Sequence, residues 1–202
     1  MAGDVQGSQN TEQEGCRIMA HQLHETAVMF PDKLGPSELH QEIYDHYVQQ
    51  GDDRRFVFGA VSSGDNTIAF MRGPAQHLPD GARPIPDVTH GEVFSFSIRC
   101  ICSLSSGGKK VFFTRDDLEG RNKWFHKRAD TSGFVVKELH EVETVSVTIE
   151  DSKRKQRLPV TTFQGVLEIK NVSKFMSLLA TGIGRGRTWG FGFIILTKQL
   201  EY

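Results

Sequence analysis

Between Glu92 and Thr197 the hydrophobic period switches from two residues to three or four and back, twice over, and this alternation restricts the fold more than any other property of the chain. Glu92–Cys102 sets Val93, Phe94, Phe96, Ile98, Cys100 and Cys102 in a strand pattern, and Gly107 and Gly108 mark a turn before Lys110–Thr114. Asp116 or Asp117 is placed to cap a helix that carries Trp124, Phe125 and Arg128 and stops at Gly133. Two strands follow, with Val145, Val147 and Ile149 alternating in one and Val160, Phe163, Val166 and Ile169 in the other once an irregularity is allowed. Lys170–Thr181 then reads as a helix with Val172, Phe175, Met176 and Leu179 inward, before a last strand at Phe191–Thr197. Strand, helix, strand, strand, helix, strand is the split βαβ order of ferredoxin-like domains, many of which bind RNA.

The first half is less regular. Ile18, Leu23, Ala27 and Phe30 predict a helix over Cys16–Phe30 that Pro31 helps to end, and Leu39, Ile43, Tyr44 and Tyr47 predict a second from Ser37 to Gln49. Strands are expected at Arg55–Val61 and Thr67–Arg72, joined by the turn-rich SSGDN, whereas residues 1–15 are polar and without period. The proline-rich stretch Pro74–Pro86 reads as a linker and coincides with a change of charge. Residues 1–102 hold 7 Lys+Arg against 14 Asp+Glu, and residues 103–202 hold 17 against 11. We therefore expect an acidic domain over 1–88 and a basic domain over 89–202, the second a candidate polyanion surface and the first a candidate surface for protein partners, the alternative being solvated faces of unequal sign.

Two segments concentrate the basic character. GIGRGRTWGFGFI at Gly182–Ile194 sets Arg185 and Arg187 among Gly182, Gly184, Gly186, Gly190 and Gly192, whose backbone freedom lets N–H groups turn towards phosphate oxygens. The alternative is a flexible loop that happens to be basic. Its spacing fits neither a P-loop nor a dinucleotide fingerprint, which argues against a nucleotide cofactor. The other segment, DSKRKQR, puts Lys153, Arg154, Lys155 and Arg157 at a hairpin tip, where they either track phosphates or protect a sheet edge. Cys16, Cys100 and Cys102 form no metal spacing and suggest buried thiols in a reducing cytoplasm. No apolar run reaches the ~18 residues of a membrane span, and the N-terminus lacks the features of a signal peptide.

Three motifs agree on one family. FQGVLEIK at Phe163–Lys170 followed by GIGRGRTWGFGFI resembles the C-terminal signature of the CasE endoribonucleases, the CRISPR RNA-processing subunits of type I-E Cascade. WFHKRADTSGF at Trp124–Phe134 resembles that family's helix, with its leading tryptophan and basic pair, and HQLHETAVMFP at His21–Pro31 resembles its first helix, where a tyrosine and a histidine three residues apart form the cleavage site. The resemblance implies an α+β chain of two tandem ferredoxin-like (βαββαβ) domains and a cleavage site at their junction. It implies no cofactor and no metal. As partners it implies the CRISPR repeat RNA hairpin and other Cascade-type subunits, with no membrane.

Metal-free RNA cleavage needs the ribose 2′-OH to attack the adjacent phosphate, leaving a 2′,3′-cyclic phosphate and a 5′-OH. Histidine suits the proton transfers because its reference pKa is ~6.5. The resemblance assigns this role to His24, with His21 where the family has tyrosine, either as its replacement or as a sign of weakened catalysis. Lys123, Lys127 and Arg128 on the tryptophan helix join the glycine loop and the basic hairpin as the expected RNA contacts. Arg187 is placed either to stabilise the transition state or to hold a phosphate. The competing function is a non-catalytic RNA-binding or scaffold subunit on the same fold. A generic RNA-recognition domain, stacking bases on the Phe94–Phe96 stretch, is a third.

Overall fold

The computed structural model describes residues 23–48, 55–151 and 154–198. His24–Phe30 is a strand, β1, so the helix expected over Cys16–Phe30 does not extend across its second half. Within HETAVMF, Val28 and Phe30 turn towards the first core while Ala27 and Met29 face outward. That is a two-residue period, which the wider spacing of Leu23, Ala27 and Phe30 had concealed. Tertiary pairing fixes the outcome: β1 lies between β3 (Asn66–Gly73) and β4 (Arg83–Pro84), with His24 opposite Gly73 on one side and Pro84 on the other.

The first described helix is therefore α1, Pro36–Tyr47, close to the span expected for a second one. Proline at its first turn lacks only an N–H that would have no helical partner, and Glu38 accepts the Gly35 N–H at 2.7 Å. Leu39 and Ile43 are buried against Phe58, Ala69 and Met71 of the sheet. With β2 (Val57–Ser63) the strand order is β2-β3-β1-β4, all antiparallel. Between β3 and β4 a single 3₁₀ turn at Ala75–His77 stands where a ferredoxin-like domain has its second helix.

The second sheet repeats the order as β10-β5-β9-β8, from β5 (Val93–Cys100), β8 (Phe134–Asp151), β9 (Arg154–Ile169) and β10 (Ile194–Lys198). Helices α2 (Leu118–Thr131) and α3 (Val172–Thr181) bury Trp124, Phe125, Phe175, Met176 and Leu179 against Phe94, Phe96, Ile98, Phe163 and Leu167. Asp117 caps α2 by accepting the Gly120 N–H at 2.9 Å, and Asn171 caps α3 through Lys174 N–H at 2.9 Å. A small hairpin, β6 (Ser103–Ser106) with β7 (Lys109–Phe112), is inserted between β5 and α2. The chain thus has the two tandem ferredoxin-like domains expected of it. No helix among the described residues is long and apolar enough to cross a membrane.

β8 and β9 outrun their neighbours. β5 pairs only with Thr161–Glu168, so the rest of the β8–β9 hairpin projects as an arm. At its far end the Glu150 N–H donates to Ser37 Oγ of α1 at 2.9 Å. A second tie runs through Arg72, which is 3 % exposed and whose Nε donates to Glu25 Oε2 at 2.8 Å while its Nη2 donates to the Ile194 carbonyl at 3.2 Å. Its guanidinium also lies 4.4 Å from the centre of the Phe193 ring. Burial lowers the Arg72 pKa, and Glu25 opposes that shift.

Candidate nucleic-acid site at the domain junction

Five glycines give the loop after α3 its shape. Gly182, Gly184, Gly186, Gly190 and Gly192 all have φ between 71° and 82°. A Cβ on Gly190 would lie 2.8 Å from the Phe58 ring of the first domain, and one on Gly192 would lie 2.0 Å from the Ile183 carbonyl oxygen. The N–H groups of Gly182, Gly190 and Gly192 donate to the carbonyls of Leu178, Arg187 and Arg99. These three are therefore committed within the protein, whereas the sequence alone reads as turning them towards phosphate. Glycine is required here because the loop folds onto itself and onto two cores.

The product of that folding is a single 3₁₀ turn, Arg187–Trp189, flanked by Gly186 and Gly190 in the left-handed region. It meets α1. Thr188 presents its carbonyl 2.9 Å from His40 Nδ1, and the Trp189 ring centre is 4.6 Å from that of His40. Because a carbonyl only accepts, His40 donates through Nδ1–H, and the neutral ring carries its lone pair on Nε2. Tyr44 lies one turn further along the helix, 4.3 Å from His40 between ring centres. Ser37 is three residues before His40, on the same helix face.

Sequence reasoning passed over His40. Its signal was positional: it sits on the first helix once Leu23–Phe30 is read with a period of two. His24, the residue the resemblance singled out, begins an inner strand, is half-buried, and has Nδ1 enclosed without a hydrogen-bond partner. His21 lies outside the described residues.

The expected basic residues divide by what holds them. Lys127 and Arg128 are exposed on α2, with the Arg128 guanidinium 5.6 Å from the Trp124 ring centre, and Trp124 in turn packs beneath Gly184. Lys123 is exposed but ion-paired to Glu119 at 2.5 Å, which raises its pKa. On the arm, Lys155 pairs with Glu150 at 2.7 Å, and Arg157 is exposed opposite Thr148. Arg154 opposes Asp151 in the register, and Lys153 lies outside the described residues. Arg187 is exposed and donates to the Thr181 carbonyl at 3.0 Å. Arg185 is half-buried and bridges to Ile101 through its backbone. Arg121 is withdrawn from this surface by a two-pronged ion pair with Glu141, at 2.8 and 2.7 Å.

The two described cysteines are interior. Cys100 ends β5 and Cys102 lies two residues beyond it, with their sulfurs 3.9 Å apart, and the hydrogen bond between them together with burial pushes the Cys100 thiol well up. Among the described residues no cluster of His, Cys, Asp or Glu has the arrangement of a metal site.

In sequence, no curated protein matches the chain. In structure it is similar to Thermus thermophilus Cse3 bound to an RNA representing a pre-cleavage complex, with a TM-score of 0.67, 17 % identity, and 87 % and 99 % of the two chains covered. It is also similar to the CRISPR-associated protein Cas6e from Escherichia coli K-12, with a TM-score of 0.64, 13 % identity and 88 % and 99 % covered. A chain of a CRISPR RNA-guided surveillance complex gives a TM-score of 0.65 at 19 % identity, with 87 % and 100 % covered. A family model described as CRISPR associated protein matches residues 31–198. Matched over that span, the chain belongs to the CRISPR associated protein family, in agreement with the CasE resemblance of its motifs.

Proposed function

We propose that the protein is a metal-independent endoribonuclease that binds the CRISPR repeat hairpin, cleaves precursor CRISPR RNA at the 3′ base of the stem, and stays bound as a subunit of a Cascade-type complex. Support comes from the family, from structural neighbours described as CRISPR endoribonucleases with RNA and as a surveillance complex, and above all from one contact. That contact is His40 Nδ1 against the Thr188 carbonyl, which seats a titratable ring of the acidic domain on the arginine-bearing loop of the basic one.

His40 is the general acid/base in this reading. The resemblance calls for a tyrosine and a histidine three apart on the first helix, and α1 carries Ser37 and His40 at that separation. With Nδ1–H committed to Thr188, Nε2 of the neutral ring accepts the 2′-OH proton as the oxygen attacks phosphorus; the protonated ring instead donates from Nε2 to the departing 5′-oxygen. Either transfer yields the cyclic phosphate and the 5′-OH. Ser37 has no acid function near neutral pH, so a second proton carrier is not supplied from that position. Arg185, Arg187, Lys127, Arg128 and Arg157 hold the phosphates, a grip that persists after cleavage.

The test is cleavage of the cognate repeat RNA in EDTA by wild type, His40→Ala and His24→Ala. We expect cutting by wild type and His24→Ala, with His40→Ala binding the RNA but cutting at least ~100-fold more slowly. Loss of cutting in His24→Ala alone returns the role to that residue, whose enclosed Nδ1 is the observation in its favour. Binding without cutting in every protein, wild type included, establishes the scaffold subunit instead.

A further inference from the structure

Behind the 3₁₀ turn lies a cleft of about 250 Å³. It opens between three elements: Lys110 and Phe112 come from β7, Gln156 from β9 on the arm, and Arg185, Gly186 and Trp189 from the glycine loop. Its walls are half-buried rings, Phe112 and Trp189, set against a small apolar cluster of Ile101, Ile149, Val160 and Phe191. Two cations and one amide are the polar groups at its edges. The volume is below the ~300–1,000 Å³ of sites for drug-sized ligands and suits one flat ring.

Resting on the endoribonuclease reading, we propose that this cleft is a subsite for one unpaired nucleotide next to the scissile phosphate. A base seated between Phe112 and Trp189 gains the stacking that single-stranded RNA finds on aromatic side chains. Lys110 and Arg185 meet its phosphate, and the Gln156 amide, which both donates and accepts, reads the base edge. Trp189 connects the subsite to the chemistry because the same ring packs on His40. A nucleotide held there is therefore a near neighbour of the group proposed to move the proton. Gly186 contributes by the side chain it lacks: a Cβ at that position would lie 2.8 Å from Ile101 and 2.9 Å from Phe191, so its absence lets the loop pack tightly behind the cleft.

The experiment uses the full chain and the repeat hairpin with a 2′-deoxy residue at the cleavage position, so that binding is read without cutting. Each unpaired nucleotide flanking the stem base is replaced in turn by an abasic residue. Wild type is expected to bind one of these RNAs about 10-fold more weakly than the intact hairpin, in the range known for loss of one stacked base. Phe112→Ala is expected to bind the intact and abasic RNAs equally, and Gln156→Ala, at an exposed position that leaves folding intact, is expected to lose preference among the four bases at that nucleotide. Equal binding of all abasic RNAs by wild type overturns the subsite, as does discrimination that survives in Phe112→Ala and Gln156→Ala. A free nucleoside monophosphate that quenches Trp189 as tightly as the hairpin does also overturns it, since the cleft is then a mononucleotide site. If wild type does not bind the intact hairpin at all, the endoribonuclease reading fails with it, and that result is distinct from tight binding without discrimination.

Discussion

At Glu168, two ammonium groups converge on one carboxylate: Lys137 Nζ lies 2.8 Å away, and Lys170 also bonds to it. Hydrogen bonds from Lys137 and Lys170 push its pKa down to about 2. The folded value is then below the ~4.3 of an unfolded glutamate, so the contribution to stability is complete above that pH and is lost as pH falls towards 2. We expect Glu168→Gln to lower the urea midpoint at pH 6, and the gap from wild type to narrow steadily in titrations down to pH 2. His40 is held by the backbone through Nδ1. Its hydrogen bond is to a backbone carbonyl, which no side-chain substitution at Thr188 removes, so Thr188→Ala should leave cleavage within about threefold of wild type while His40→Ala slows it at least ~100-fold; single-turnover rates measure both.

Among the elements, the β6–β7 turn and the glycine loop hold two kinds of positive φ. Gly107 has φ 54° with nothing within 4 Å of a Cβ, so Gly107→Ala should cost about 1 kcal/mol of strain. Gly192→Ala adds a Cβ 2.0 Å from a carbonyl oxygen and should cost on the order of 3 kcal/mol or more, a contrast that denaturant unfolding of the two variants measures directly. Legibility differed in the same way. The cap at Asp117, the buried alternation of β5 and the long hairpin were readable because each depends on local spacing. β1 was not, because Leu23, Ala27 and Phe30 fall at helical spacing, whereas the strand period is carried by Val28 and Phe30 and is fixed by pairing on both sides with β3 and β4. His40 went unread for the same reason, since moving the first helix moves the histidine. The glycines were located, but the partners that the Gly182 and Gly192 N–H groups find at Leu178 and Arg99 were not readable, because they are matters of tertiary structure.

Across the whole molecule, the two sheets are joined by Arg72, by Gly190 against Phe58, and by the arm's hydrogen bond to Ser37. Arg72→Ala leaves the Ile194 carbonyl and Glu25 without their shared donor and should cost on the order of 2 to 3 kcal/mol, read as a lower melting temperature. RNA binding by the basic surface should weaken steeply with salt. Arg157→Ala should reduce the log K against log[salt] slope by about 1, and Lys123→Ala by less, because Glu119 already neutralises Lys123. The interior pair Cys100 and Cys102 has a practical consequence for such measurements. With relative exposures of 0 % and 2 %, neither sulfur meets a thiol reagent until α2 and β5 part. In a Cys16→Ser background, the rate of alkylation is thus a clock for opening of the second domain, and bound RNA should slow it.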